Sequence, residues 1–515
     1  MGVIASAITL SLAVPGAAVA APERGPTPSL SGPADLLRLD VEVRAALTSS
    51  HRGNTPRCGS RFDRVHSLAQ RAEFDRLPAS THRLVLALAL ACTEGDRAKT
   101  ALTLIGRLET LVTSPAEVAD INEALLRLAR GRGDKPEAAR RLIGVIDAEP
   151  RRVAGWWSPF ISPVVAGVED DEALSTALLQ RLTSLAWEDP QSGEAARNYW
   201  AGLYAGRLLD RGDVAGARKV LSGANDPAVL IEIAEQRRFA PLWPTLEAEG
   251  RFDWRALTEA ALKRRQAAAA AEPKALVHVL RIQSLLRQLQ RYDEAIALGE
   301  GLQMRMLAGE AFTDGDKQAN WVLNELGYAL GDVGRYAEAE TAFKASVTVG
   351  ENGGPSVSQA INWGQTLLDL ERPKEALASV DNIKGGASPY GVMWADAIRV
   401  CANAVLDPAA AKRQLEGMTA REDDNEAALT QALLCLDRQD EAAAAYIRRL
   451  ASPKRRDGAI SAFRVVLPPP VMTARQKEME RRKQAVLARP DVRQALEPVG
   501  RALTLPLAGS YWGEY

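Results

Sequence analysis

Residues 323–343 read LNELGYALGDVGRYAEAETAF, and their spacing decides the fold. Leu323, Leu326 and Leu330 recur at intervals of three and four with Gly327 among them, Gly334 breaks the run, and Ala339 and Phe343 open a second one. Recurrence at i, i+3 and i+7 marks a helix with one apolar stripe, so the stretch predicts two helices joined at Gly334. A small residue on each, Gly327 and Ala339, lets the two cross closely while larger side chains fill the space around the crossing. The pattern then returns: Gly364, Leu367 and Ala376 stand 37 residues after Gly327, Leu330 and Ala339. A fixed period of this kind marks a stacked array.

Working outward, breakers recur at Glu94-Gly95-Asp96, Arg132-Gly133-Asp134, Arg211-Gly212-Asp213, Gln290-Arg291-Tyr292 and Val333-Gly334-Arg335-Tyr336. A small residue follows in Ala138, Ala217, Ala295, Ala339, Ala376 and Ala442, and four positions on stand Leu142, Leu221, Gly299, Phe343, Val380 and Tyr446, with Gly299 the exception to a bulky slot. This pattern resembles the tetratricopeptide repeat, specifically over 277–383, moderately around 198–221 and 424–450, and weakly before residue 148. The resemblance implies an all-α, tetratricopeptide-like α-solenoid, a right-handed superhelix of antiparallel helix pairs, about ten to twelve of them for a chain of this length. No useful length of strand-like alternation with turn signals interrupts it. The expected organisation is a signal peptide (1–20), a flexible leader (21–33), degenerate helical repeats (34–270), clearer repeats (271–452), and a C-terminal capping helix with an aromatic tail (453–515).

The family resemblance also assigns side chains to a concave groove. Counting from Gly327 it points to Trp321, Asn324, Tyr328 and Asp332, and counting from Gly364 to Ser358, Gln365 and Asp369. Aromatic and amide groups of this kind suit a protein or peptide partner, the aromatics giving area with few rotors and the amides pairing with an extended backbone. Leu467-Pro468-Pro469-Pro470 is expected to stop the array, and the charged stretch Thr473–Ala488 to cover its last repeat, since a solenoid must hide its apolar end. The tail Tyr511–Tyr515 is expected to dock on the array.

The N-terminus and the cysteines bear on location. An apolar run at residues 3–14, too short to span a bilayer, leads to Ala18-Val19-Ala20, a small-x-small cleavage pattern, although no Lys or Arg lies among the first twenty residues. The expectation is a periplasmic or secreted protein without a membrane span. Four cysteines are present; Cys58 and Cys92 are 34 residues apart, as are Cys401 and Cys435, and both pairs are candidate disulfides. Three connectivities are open to four cysteines, and buried thiols are the alternative.

Chemistry leaves little trace. A formal net charge of −1 with scattered signs argues against nucleic acid as a partner. No phosphate loop, dinucleotide fingerprint or nucleophile elbow is complete. Four histidines, His51, His66, His82 and His278, lack the i, i+4 pairing of a helical zinc motif, so neither a metal nor a cofactor is expected and no catalytic residue is assigned. Acidic clusters at 169–172 and 422–426 fall at helix starts, where they cap backbone amides. The sequence therefore points to a non-catalytic exported scaffold or adaptor that binds a protein or peptide partner in its groove, with cell-envelope assembly or secretion as the expected setting. The alternative is a cell-wall or glycan-active enzyme, or its helical subunit, which would need carboxylates converging on a pocket.

Overall fold

The computed structural model describes residues 33–48, 58–93, 95–112, 114–156, 158–187, 193–350, 356–381, 383 and 387–509. The signal segment 1–20, the leader up to residue 32 and the tail Tyr511–Tyr515 lie outside the described residues. Among those described, 27 α-helices and two short strands leave no doubt about the class: the chain is an all-α helical-repeat solenoid. It divides into two compact units, residues 1–124 and 125–515.

In the first unit, the helices Pro33–Thr48, Ser60–Ala69, Ala79–Ala91 and Ala98–Glu109 enclose a core of Leu39, Val43, Phe62, Val65, Phe74, Val85, Ile105 and Leu108. Cys58 and Cys92 are joined, with Cα atoms 5.0 Å apart across a separation of 34 residues. Closing a loop of that length removes about 4 kcal/mol of chain entropy from the unfolded state in the loop-closure picture. His82 is an interior side chain, its Nε2 lying 2.9 Å from the carbonyl of Phe74.

The second unit contains the repeats. Five helix pairs follow one another: Leu276–Gln288 with Tyr292–Leu307, Gly315–Asp332 with Tyr336–Thr348, Val357–Asp369 with Pro373–Val380, Pro389–Leu406 with Pro408–Thr419, and Glu426–Cys435 with Gln439–Ala451. Each first helix packs on its own second helix and on the first helix of a neighbouring pair, so each pair buries the apolar face the next one exposes. The crossing residues Ala295, Ala339, Ala376 and Ala442 are all buried. A methyl group on Gly327 would stand 2.9 Å from the Phe343 ring, which is why glycine serves there. Phe343 in turn stacks on Trp363 of the next pair, ring centroids 5.6 Å apart. Gly299 breaks the bulky slot for a similar reason: Leu326 of the following pair occupies the place its side chain would take.

Four of these pairs turn alike. Gln290, Gly334, Glu371 and Asp437 take a left-handed backbone, φ 59°, 79°, 57° and 56°. The next residue is always arginine, and its N–H closes the helix end on the carbonyls of Leu286, Leu330, Leu367 and Leu433 respectively. Three of the four left-handed residues carry side chains, at a cost of about 1 kcal/mol each, which the hydrogen bonds at the helix end offset. Arg291, Arg335, Arg372 and Arg438 then pair with Glu294, Glu338, Glu375 and Glu441 three positions on. Arg335 and Arg372 also reach back to Glu300 and Glu340 on the preceding second helix. The result is an exposed ladder of ion pairs along the second helices. Cys401 and Cys435, on first helices of neighbouring pairs, are joined with Cα atoms 5.3 Å apart.

Beyond the Gln439–Ala451 helix the chain leaves the repeat pattern and crosses back over the ends of the first helices. Strand β1 (Val465–Leu467) pairs in parallel with β2 (Thr504–Ala508), and the helices Ala474–Leu487 and Pro490–Leu496 lie between them. The prolines at 468–470, which cannot donate to a ladder, hold the connection extended. Val471 donates its N–H to the Asp332 carbonyl, 3.1 Å, and Gln290 donates to the Pro468 carbonyl, 3.1 Å. Arg482 donates to the carbonyls of Leu434 and Cys435, 2.9 and 3.0 Å. Helix C-termini carry unpaired carbonyls and a partial negative charge, so the basic character of the 474–487 helix has a structural use: it packs on two first helices, Val357–Asp369 and Glu426–Cys435, as well as on the last second helix, Gln439–Ala451. The segment then reaches the Pro227–Glu235 helix. Arg501 donates its N–H to the Glu235 carbonyl, 2.8 Å, and Arg464 grips the Glu235 carboxylate with two bonds of 2.7 Å. Leu505 and Leu507 are buried where β2 meets the Trp254–Ala271 and Leu276–Gln288 helices.

Candidate functional site

Where the C-terminal segment passes over the first helices it leaves a cavity of 220 Å³. The array contributes Tyr292, Asp332, Gln365, Asp369 and Gln431, and the crossing segment contributes Val465–Pro469, Met472, Gln476, Met479, Glu480 and Lys483. Three of the seven residues the sequence assigned to the groove, Asp332, Gln365 and Asp369, meet here. Asp369 accepts hydrogen bonds from Gln365, 3.1 Å, and from Gln476, 3.3 Å, and Gln431 donates to Gln365. Burial pushes the Asp369 carboxyl up to about 6, against the pull of the Arg475 charge and those two hydrogen bonds. Its position as the last residue of a helix adds to the cost of a negative charge.

The other four assigned residues are elsewhere. Asn324 is 0% exposed and accepts from Asn362, 3.1 Å, so it is an interior link between two first helices rather than a groove side chain. Tyr328 is buried too, edge-on to Phe343 at 5.1 Å, with the Arg287 guanidinium 5.2 Å from its ring centroid. Trp321 and Ser358 are half-buried and do not line the cavity. Asp332 lines it, yet its carboxylate is held by Arg287, 3.0 Å, which also binds Glu325, 2.8 Å. All three are buried, so removing any one leaves a charge without its counterpart in the interior.

The sequence reading missed Arg287, Glu325 and Gln431. Gln431 stands eleven residues before Ala442, as Gln365 stands eleven before Ala376; the alignment that matched Gly327 with Gly364 also finds it. Arg287 and Glu325 carry no comparable signal, because a buried ion pair between neighbouring pairs is a matter of which long side chains happen to face.

A second concavity lies between the helices Gly193–Asp210, Pro227–Glu235 and Arg456–Ser461. A cavity of 340 Å³ lined by Tyr199, Glu232, Gln236, Arg238, Asp457 and Arg464 adjoins one of 870 Å³, and Tyr199, Leu203, Gln236, Arg238 and Asp457 line both. Glu232 stays accessible to solvent, but the enclosing walls push its carboxyl up to about 7, the charges of Glu235, Asp457 and Asp226 adding to the effect while Arg464 opposes it. Among the described residues no group of three or more His, Cys, Asp and Glu is arranged to hold a metal ion. No helix there is long and apolar enough to cross a membrane.

No protein-family model matches the chain. No curated protein matches it either. Among solved structures it is similar to the crystal structure of the APC/C hetero-tetramer Cut9-Hcn1, at 11% identity over 85% of this chain and 87% of that chain, with a TM-score of 0.28. The assignment of the fold rests on the chain's own helix pairing.

Proposed function

We propose that the chain is a non-catalytic scaffold that holds a protein or peptide partner against the row of its first helices. The observation that supports this is the seating of residues 465–472. An extended, proline-containing stretch lies over that row, with its backbone taken by the Gln290 side chain and the Asp332 carbonyl. A surface that accepts one extended segment through backbone bonds and apolar contact has the chemistry to accept another. The cavity beside it, with Gln365, Asp369 and Gln431 in its wall, is where a partner residue would enter. Export to the periplasm or beyond, with a role in cell-envelope assembly or secretion, is part of the proposal; the small-x-small pattern at Ala18-Val19-Ala20 and the two joined cysteine pairs support it.

The test is site-specific photo-crosslinking in cells that express the full chain. A crosslinker at Gln365 is expected to capture a discrete partner that one at Lys344, exposed on a second helix, does not. Introducing Asp369→Arg should abolish the capture. Equal capture from both positions, or capture undiminished by Asp369→Arg, would remove the reading. A second reading, a glycan-active enzyme, is favoured by one observation: Glu232 and Asp457 line a single cavity. Loss of oligosaccharide cleavage in Glu232→Gln would establish it.

A further inference from the structure

The cleft beside the Pro227–Glu235 helix has unmet hydrogen-bonding capacity. Gln236 is 4% exposed and lines both of its cavities, yet the side-chain Oε1 has no donor. A buried amide oxygen without a donor costs stability unless something supplies one. Glu232 stands four residues earlier, on the same face of the helix end; its carbonyl accepts the Gln236 N–H, 3.2 Å, while its carboxylate forms no hydrogen bond or ion pair among the described residues. Arg464 lines the same cavity but is committed to Glu235 by both of its short bonds. Asp457 has only a loose partner, Arg238 at 3.7 Å. Tyr199, 46% exposed, lines both cavities, its phenol held up by burial and then by the charges of Glu169, Glu232 and Asp457. An open aromatic ring among carboxylates attracts a cation through the ring face and the charges together.

The cations around the cleft are engaged with other groups. Arg207 donates to the Glu169 carbonyl, Arg237 to the Glu497 carbonyl and Arg456 to the Ser452 carbonyl, while Lys454 pairs with Asp170. Arg238 reaches Asp457 and lies over the Phe239 ring. None of them satisfies Glu232 or the Gln236 oxygen.

We propose that this cleft is a binding site for a protonated amine or guanidinium group, held by Glu232, Asp457, the Gln236 amide oxygen and the Tyr199 ring. The cation supplies the missing donor to Gln236 and, since Arg464 is bonded to Glu235, a directly paired counter-charge to Glu232. Two sources share this chemistry, a Lys or Arg side chain of a partner and a small free amine. Binding requires Glu232 ionised, so affinity rises with pH through the neutral range, where Glu235, Asp457 and Asp226 oppose that ionisation and Arg464 favours it. The site is separate from the cavity at Asp369, and its test needs no partner to have been found.

The experiment is calorimetric titration of the full chain with N-acetyl-lysine amide, N-acetyl-arginine amide and cadaverine, against the neutral analogues N-acetyl-norleucine amide and N-acetyl-citrulline amide and a chito-oligosaccharide. Saturable binding of the cationic probes alone is expected, weakened about tenfold or more by Glu232→Gln and several-fold by Gln236→Leu, an order set by one charge-assisted bond against one neutral bond. Blocked amino-acid amides binding more tightly than cadaverine assigns the site to a partner's side chain, and the reverse order to a free amine. The proposal is overturned if the neutral analogues bind as well as the cations, if only the oligosaccharide binds, if no probe saturates, or if both variants bind the cations like the native chain.

Discussion

The five helix pairs between Leu276 and Ala451 and the segment from Arg464 to Ala508 are both well packed, but by different means. Each pair is held by neighbours within one period: Phe343 against Gly327 and Trp363, and Arg372 against Glu340 and Glu375. The C-terminal segment is held by partners far away in sequence. Arg464 meets Glu235, Gln290 meets Pro468, and Val471 meets Asp332. In the first region stability is spread over many equivalent contacts, as expected for a repeat array. In the second it is concentrated in a few anchors. Damage should therefore stay local and graded in the pairs, and be disproportionate at an anchor.

The largest effect is expected from Arg464→Ala. Glu235 is 1% exposed, and stripping its counter-charge should cost about 3–5 kcal/mol, measured by urea unfolding, with residues 464–509 becoming protease-sensitive before the pairs do. Next is loss of the bond between Cys401 and Cys435, which closes a loop of the same length as the first disulfide. Reduction, or the double change to serine, should cost about 2–4 kcal/mol; an unchanged unfolding midpoint under reductant would mean that the pairs do not need the link.

Smaller still are the glycine crossings. Gly327→Ala gains about 1 kcal/mol in helix propensity but drives a methyl into the Phe343 ring, for a net loss of about 1–2 kcal/mol. Gly364→Ala meets first the Ser379 hydroxyl, which can rotate away, and should be nearly neutral. Equal costs at the two positions would contradict the packing given for Phe343.

Asp369→Asn should stabilise the chain, because its native carboxyl titrates near 6, above its unfolded value. A raised carboxyl makes the folded state bind protons more readily than the unfolded one, so native stability falls as pH rises from about 4 to 6 and stays low above that. A carboxyl raised from 3.8 to about 6 costs about 3 kcal/mol once ionised, and Asn accepts from only one of Gln365 and Gln476, so the variant should gain about 1–2 kcal/mol at pH 7.5 and nothing below pH 4. A gain that persists at pH 3.5 would mean that burial of the charge is not the cause.

The same contrast explains what a single sequence can convey. Gly327, Gly364 and the alanines at 295, 339, 376 and 442 mark the helix crossings because packing at a crossing repeats with the period. The Arg-x-x-Glu-Ala motif at Arg291, Arg335, Arg372 and Arg438 repeats as well, and reading it would have placed the second helices without the Gly299 exception. Of the groove residues, Asp332, Gln365 and Asp369 were found because they sit near a repeated turn. Asn324 and Tyr328 follow the same count but are interior, since neighbouring pairs here pack closely enough to enclose them. The path of 464–508 was not legible: prolines 468–470 announce an end to helix, but nothing local says that Val471 will reach Asp332 or Arg464 reach Glu235. The unmet groups at Glu232 and Gln236 depend on that path, since the Arg456–Ser461 helix and Arg464 form one wall of their cleft.

Amide hydrogen exchange tests the central claim, a repeat array spanned by its own C-terminal segment, most directly. The N–H groups of Val465, Val471 and Arg501, bonded to Leu503, Asp332 and Glu235, should exchange as slowly as those of the Gly315–Asp332 helix in the native chain. In Arg464→Ala those three should exchange fast while the helix keeps its protection. Fast exchange at Val471 and Arg501 in the native chain, or simultaneous loss of protection in segment and helix, would contradict the account.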